Sequence, residues 1–305
     1  MVQRMRRGRG RRSDTRRGVI SLAFVSALAW VWWIAGVACA FTWVASLVSG
    51  DTSWVDRSWS ILPEVYVWVF AAHAHFENAR LTTLAILTTI WGVRLTYNLA
   101  RKGGYSGVED YRWQVLRKAM PHWQFQLFNL FFIVLYQNAL LVLIALPALS
   151  AYQHHSAPFG YPDVFATVVF VALLAGETLA DQQQWRFHQE KKRLAAAGHS
   201  VTPGFLREGL FRYSRHPNYF FEIAQWWIVF AFGALAARSL TQWTVLGAAL
   251  LTLLFVGSTR FTEKISSGKY PQYRDYQRQV SAIVPWRTRR SSESAAPDAA
   301  RAPST

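Results

Sequence analysis

Long uncharged apolar runs decide what this chain can fold into. Residues 19–48 contain 30 consecutive positions without a charge, more than the ~20 residues that one helix needs to cross a bilayer. In lipid, backbone groups find partners only within a helix or a closed barrel. These runs are longer than barrel strands and lack their alternation, so they predict helices. Hydrophobic residues make up 52% of the 305 positions and charged residues 16%, and the charges fall between the runs. The expected architecture is an all-α, polytopic membrane protein. Seven spans are read at 19–48, 63–76, 81–99, 125–149, 164–180, 218–237 and 240–257. The 15 tryptophans suit interfacial belts.

The loops orient these spans. Residues 101–118 carry five basic side chains, 186–215 carry seven and 260 onward nine, whereas 150–163 carry no Lys or Arg. Basic loops stay in the cytosol, so these three and the C-terminus are expected there. The N-terminus then lies outside, a poor place for the eight arginines of residues 1–18. Either the first run crosses twice or that leader is a targeting segment. The expected organisation is a disordered leader at 1–18, a membrane domain at 19–290 and a disordered tail at 291–305. The net charge of +16 belongs to these loops and implies no nucleic-acid partner. The lone cysteine, Cys39, excludes an internal disulfide.

Polar groups gather at the cytosolic ends of the spans. Pro217 suits the first turn of a helix on which Asn218, Glu222 and Gln225 share one face, with Tyr213, Arg215 and His216 just ahead and Tyr219 following. A carboxylate and two amides at the mouth of a span are costly unless they bind something, and a helix start preceded by Arg and His suits an anion. The alternative is a capped span anchored to lipid headgroups. Glu177, Asp181, Gln184 and His188 make a second stripe, read as a hydrogen-bonding wall for ribose, amide or base groups or as a solvated helix face. No cysteine joins it, and no metal site is expected. Arg94, Tyr97, Asn98 and Arg101 end the third run. Ser106 and Glu109 beyond them predict a capping box and a helix from about Gly107, followed by Arg112. Glu263 and the segment from Tyr270 to Tyr276 follow the last run.

These strings, in this order, resemble the steroid 5-alpha-reductase-like membrane family, in particular its bacterial and protist branch. The similarity runs from about Asp56 to Trp286. It rests on Arg215-His216-Pro217-Asn218-Tyr219 with Glu222, on Gly107 to Arg112, on Asp181, and on Asp56, Trp59 and Ser60. The resemblance implies seven helices with a reductase-like core at 165–286 and a cofactor site reached from the cytosolic side. NADPH would deliver hydride to the β-carbon of an enone in a steroid or other lipid. Asn218 and Glu222 would hold the nicotinamide side, and Asp181 with Glu177 the nucleotide. Tyr213, Arg215, His216, Tyr219, Lys191, Arg101 and Arg112 would complete the cofactor site, the basic ones facing phosphates. A nearby acid would stabilise the forming enolate. The family places a tyrosine acid where this chain has Trp91. Tyr97, with Glu64 and Arg94 near the site, is expected to supply the chemistry, and Tyr66 is a second phenol within reach.

Two other readings stay open. Membrane methyltransferases of the isoprenylcysteine and phospholipid type share the Arg-His-Pro-x-Tyr string and a late Glu like Glu263, and they use S-adenosylmethionine. A lipid-binding scaffold that kept the fold and lost the acid fits Trp91. The expected location is the endoplasmic reticulum of a eukaryote or the inner membrane of a bacterium.

Overall fold

The computed structural model describes residues 2–286, with side chains from residue 26. The expected 291–305 tail lies outside the described residues. The described chain is helical, with no strand beyond one isolated bridge between Ser214 and Ser281. The helices are α1 (Val2–Ser49), α2 (Trp54–Trp59), α3 (Leu62–His73), α4 (Ala79–Arg101), α5 (Tyr111–Ala119), α6 (His122–Phe128), α7 (Gln137–Ala145), α8 (Pro147–Gln153), α9 (Tyr161–Ala196), α10 (Pro217–Ala237), α11 (Val245–Lys269) and α12 (Tyr273–Gln279). A π-helical stretch, Asn129–Tyr136, joins α6 to α7.

Five helical stretches among the described residues are long and apolar enough to cross a membrane: Ser26–Ser49, His122–Gln153, Tyr161–Ala196, Pro217–Ala237 and Val245–Lys269. The chain is a multi-pass membrane protein. The expected second and third spans are helices, α3 and α4, but do not belong to those five. With 12 residues, α3 reaches about 18 Å, short of the ~30 Å hydrocarbon core. The 23 residues of α4 are long enough, but Arg80, Arg94, Arg101 and five threonines dilute their hydropathy. These two helices pack on each other, and Tyr66, Val67, Phe70, Leu84 and Trp91 are buried. The first run is one helix and not a hairpin, and α1 begins at Val2.

The chain divides into two compact units. The first comprises Met1–Ala175 and Ile223–Leu254, the second Gly176–Glu222 and Phe255–Thr305. Within the first, α1 runs antiparallel to the π-helical stretch and α7. Asn129 donates to Ser46 at 3.0 Å and Asn138 to Thr42 at 3.3 Å. The wider turn of the π-helix brings residues four apart into line, so Phe128, Phe132 and Tyr136 stack with centroids 4.9 and 5.4 Å apart. At one end of this unit Arg80, 3% exposed, forks onto Asp163 and donates to the carbonyls of Ala157 and Pro158. At the other end Glu109 accepts from the backbone and hydroxyl of Thr52 and from Arg117. The expected capping box is therefore not formed. Gly107 takes a positive φ of 80° and the helix starts at Tyr111, capped by Asp110, because Glu109 is drawn across to Thr52.

Candidate functional site

The second unit holds nine of the expected site residues: Glu177, Asp181, Lys191, Tyr213, Arg215, His216, Asn218, Tyr219 and Glu222. Its strongest feature is an ionic cluster around Glu263 on α11. Arg215 forks onto this carboxylate at 2.5 and 3.0 Å. It also donates to the carbonyl of Gln277 at 2.9 Å and to that of Val280. Gln277 donates to Glu263 at 2.9 Å, and His216 Nε2 lies 3.3 Å from it. Four of the five guanidinium N–H groups of Arg215 are thereby engaged. Arg215 acts as a strut joining the start of α10, α11 and α12, and phosphate binding there would compete with Glu263.

The same string is held along its backbone. Arg215 N–H donates to Ser281, His216 N–H to Ala282, and Trp286 N–H to Tyr213. The Ser214 hydroxyl donates to Ile283 at 2.6 Å. The tail after α12 thus pairs with the string and sets where α10 begins. Pro217 can open α10 because its absent N–H lies in the first turn. Tyr219 stacks on His216, with centroids 5.1 Å apart, and meets Phe255 edge-on at 4.7 Å.

Lys191 is committed in a similar way. It donates to the Gly204 carbonyl at 2.6 Å and to the Tyr270 hydroxyl at 2.7 Å. Burial pushes the Tyr270 phenol up, but Lys191 and Lys269 outweigh it and hold the phenol below its ordinary value. Phe205, Tyr270, Tyr273 and Tyr276 pack as one aromatic cluster beside this pair. Burial pushes the Tyr276 hydroxyl above its usual range, and it donates to the Phe211 carbonyl.

Three carboxylates of the second unit are enclosed: Glu177 and Asp181 on α9 are each 4% exposed, and Glu222 on α10 is 6% exposed. Carboxylates accept hydrogen bonds from hydroxyl and amide donors. Asn218 is half-buried one turn before Glu222, and the Tyr213 side chain is half exposed. Gly176 is required where it stands, because a Cβ there would meet the Phe221 ring at 2.5 Å. No group of His, Cys, Asp and Glu among the described residues suits a metal ion.

The first unit holds the remaining five expected residues, Glu64, Arg94, Tyr97, Arg101 and Arg112. Trp91, in the position of the expected acid, is 1% exposed and meets Trp226 edge-on at 4.9 Å. Glu64 lies against the next residue: a Cβ on Gly92 would fall 2.5 Å from its Oε1. Its other oxygen is enclosed without a hydrogen-bond partner. Arg94, half-buried, follows on the Trp91 side of α4, whereas Tyr97 is 65% exposed with the Arg101 guanidinium 5.4 Å from its ring. Arg101 also forks onto Asn98, at 2.7 and 2.9 Å, and Arg112 onto Asp110. The Tyr66 hydroxyl is enclosed and has no hydrogen-bond partner.

Other residues carry more of the architecture than their sequence context suggested. Arg57 is 9% exposed, donates to Gly104 and Asp51 and covers the Trp54 ring. Asp56 accepts from the Trp113 indole at 3.0 Å, Trp59 donates to Gln137 at 2.8 Å, and Ser60 accepts from Thr96 at 2.9 Å. Burial pushes Asp56 up to about 6, with the nearby Asp110 adding to it, against the pull of Arg112 and two hydrogen bonds. An arginine opening an apolar helix was a readable signal for Arg80. None marked Gln277.

The family model for a protein of unknown function (DUF1295) matches residues 42–280 of this chain. An uncharacterized protein of the fission yeast Schizosaccharomyces pombe is 40% identical over 258 residues, covering 80% of this chain and 75% of that protein. No solved structure matches.

Proposed function

We propose that this chain, which belongs to the DUF1295 family, is a membrane-embedded oxidoreductase that reduces the carbon–carbon double bond of an enone in a steroid or other lipid, using NADPH. The observation that carries the proposal is the enclosure of Glu177, Asp181 and Glu222 in one unit. Buried carboxylates in a helical membrane protein are costly unless they have work to do. Asp181 and Glu177 accept from ribose hydroxyls, and Asn218 with Glu222 orients the carboxamide. Bound NADPH supplies the hydride. Arg215 and His216 serve indirectly, by fixing the start of α10 through Glu263.

For the proton, this reading takes a donor among Tyr97, Glu64 and Tyr66. Tyr97 is largely exposed, whereas one oxygen of Glu64 and the Tyr66 hydroxyl are enclosed without a hydrogen-bond partner, so this reading prefers Glu64 or Tyr66 as the donor. Arg94 polarises the carbonyl. In this reading the host membrane is the endoplasmic reticulum of a eukaryote or the inner membrane of a bacterium, where cytosolic NADPH reaches the site.

A second reading is favoured by one observation. The Arg-His-Pro string and the late glutamate shared with isoprenylcysteine-type methyltransferases meet here as a single cluster, Arg215, His216 and Glu263. One experiment separates the two. Purified protein is titrated with NADPH and with S-adenosylmethionine, and thermal unfolding is followed. A ligand that binds only the folded state, at a hundredfold excess over its Kd, adds about 2.7 kcal/mol. Stabilisation by NADPH that is lost in Asn218→Ala and Glu222→Ala is the expected result. Stabilisation by S-adenosylmethionine alone transfers the reading to methyl transfer, and no response to either points to a scaffold.

A further inference from the structure

The first unit contains an open apolar groove between the start of α9 and the end of α10, with a volume of about 470 Å3. Phe165 and Ala166 form one wall, and Ile228, Ala231 and Ala234 the other. Three of its lining residues are alanines, and Arg238, just past the end of α10, also lines it. These α10 residues recur every three or four positions, so the groove follows one face of the helix. From Ile228 to Arg238 it runs about 15 Å, half of the ~30 Å hydrocarbon core and hence the depth of one leaflet.

Its surroundings face lipid. Val164, Phe165, Val168 and Val171 on α9 and Leu246 on α11 are exposed apolar side chains. Tyr161 and Trp243, 92% and 57% exposed, are the amphipathic rings that mark a headgroup level, and they lie close in sequence to residues lining the groove. Arg238 is exposed, and its guanidinium has no partner among the described residues. It takes a positive φ of 52°, where the chain turns out of α10. The nearest acid in sequence on the α9 side, Asp163, is committed to Arg80. Arg238 is thus an exposed, unpaired cation lining an apolar groove about one leaflet long.

We infer that this groove holds one acyl chain of an anionic phospholipid, with its phosphate on Arg238. The two parts of the site match the two parts of the ligand: a guanidinium pairs with a phosphodiester through parallel N–H donors, and the apolar groove takes the chain. The site is independent of the proposed reductase chemistry, because none of its residues belongs to that machinery.

The test uses the full chain in nanodiscs of equal parts phosphatidylglycerol and phosphatidylcholine, extracted into detergent for native mass spectrometry. One phosphatidylglycerol per chain is expected to be retained. Arg238→Gln is expected to lose about fivefold of the preference over phosphatidylcholine, and Arg238→Lys, which keeps the charge but not the parallel donors, to lose less than Arg238→Gln. Ala231→Leu with Ala234→Leu, which fills the groove, is expected to lose the lipid. Arg274→Gln, which removes an exposed charge in the other unit, controls for general attraction and is expected to change nothing. A photoreactive acyl chain is expected to label peptides of α9 and α10. Equal retention of both lipids, an unchanged preference in Arg238→Gln, or labelling confined to other helices each overturns the inference. Because Arg238 is exposed, Arg238→Gln leaves the core intact, and the labelling arm needs no variant.

Discussion

Single side chains divide into those that hold the fold and those left for chemistry. Glu263 is the firmest of the first kind. Removing one partner of a buried ion pair leaves the other charge uncompensated, so Glu263→Ala is expected to cost about 3–5 kcal/mol. Denaturant unfolding measures that, and Glu263→Gln, which still accepts from Arg215, is expected to lose less. Asp56 makes a pH prediction. Its carboxyl is pushed up to about 6 when folded, so it binds its proton more tightly folded than unfolded. Its contribution is full below the ordinary aspartate value near 4 and disappears as the pH rises through about 6. Thermal scans from pH 4 to 7 are expected to show stability falling across that window, by at most about 3 kcal/mol. Asp56→Asn keeps an acceptor for the Trp113 indole and is expected to remove this part of the slope. Glu64→Gln is expected to retain NADPH binding and to lose turnover at least tenfold, read as kcat against Kd.

Helices meet where glycines let backbones approach. A Cβ on Gly233 would fall 2.8 Å from the Pro147 carbonyl oxygen, and one on Gly247 would strike the Leu143 carbonyl. Both obstacles are backbone, which cannot swing aside as a side chain does. Gly233→Ala and Gly247→Ala are each expected to destabilise by about 1–3 kcal/mol through overpacking, a loss that thermal unfolding in detergent would register. Gly92→Ala differs, because its obstacle is the end of the Glu64 side chain. That variant is expected to fold and to lose activity by displacing the carboxylate. An active Gly92→Ala would remove Glu64 from the reaction. The 12 residues of α3 and the three arginines of α4 show why only five of the seven expected spans are recognisable by length and composition. Hydropathy marks burial, and burial inside a bundle reads the same as burial in lipid until length and neighbours are known.

At the scale of the molecule, the loop charges and the first unit's contacts agree on which ends belong together. Thr52, just beyond α1, meets Glu109 of the basic 101–118 segment, and Asn78 and Arg80 meet the bare 150–163 segment. With Cys39 replaced by alanine, a single cysteine at the exposed Ser106 is expected to label only from the cytosolic side. One at the exposed Ser156 is expected to label only from the opposite side. Labelling of both from one side would overturn the topology.

The sequence alone determined the solvent and the class. Uncharged runs longer than a bilayer is thick leave only helices, because this follows from composition along the chain. It also marked Glu177, Asp181 and Glu222 as candidates, since polar groups at helical spacing beside apolar runs stand out locally, and the structure buries all three. Tertiary structure alone decided what each charge does. Arg215 and Lys191 look free to bind phosphate in the sequence, yet Glu263 lies 48 residues from the first and Tyr270 lies 79 from the second. Glu109 left its capping box for Thr52, 57 residues away. Pairing of charges is a property of distance in space, and no local pattern encodes it.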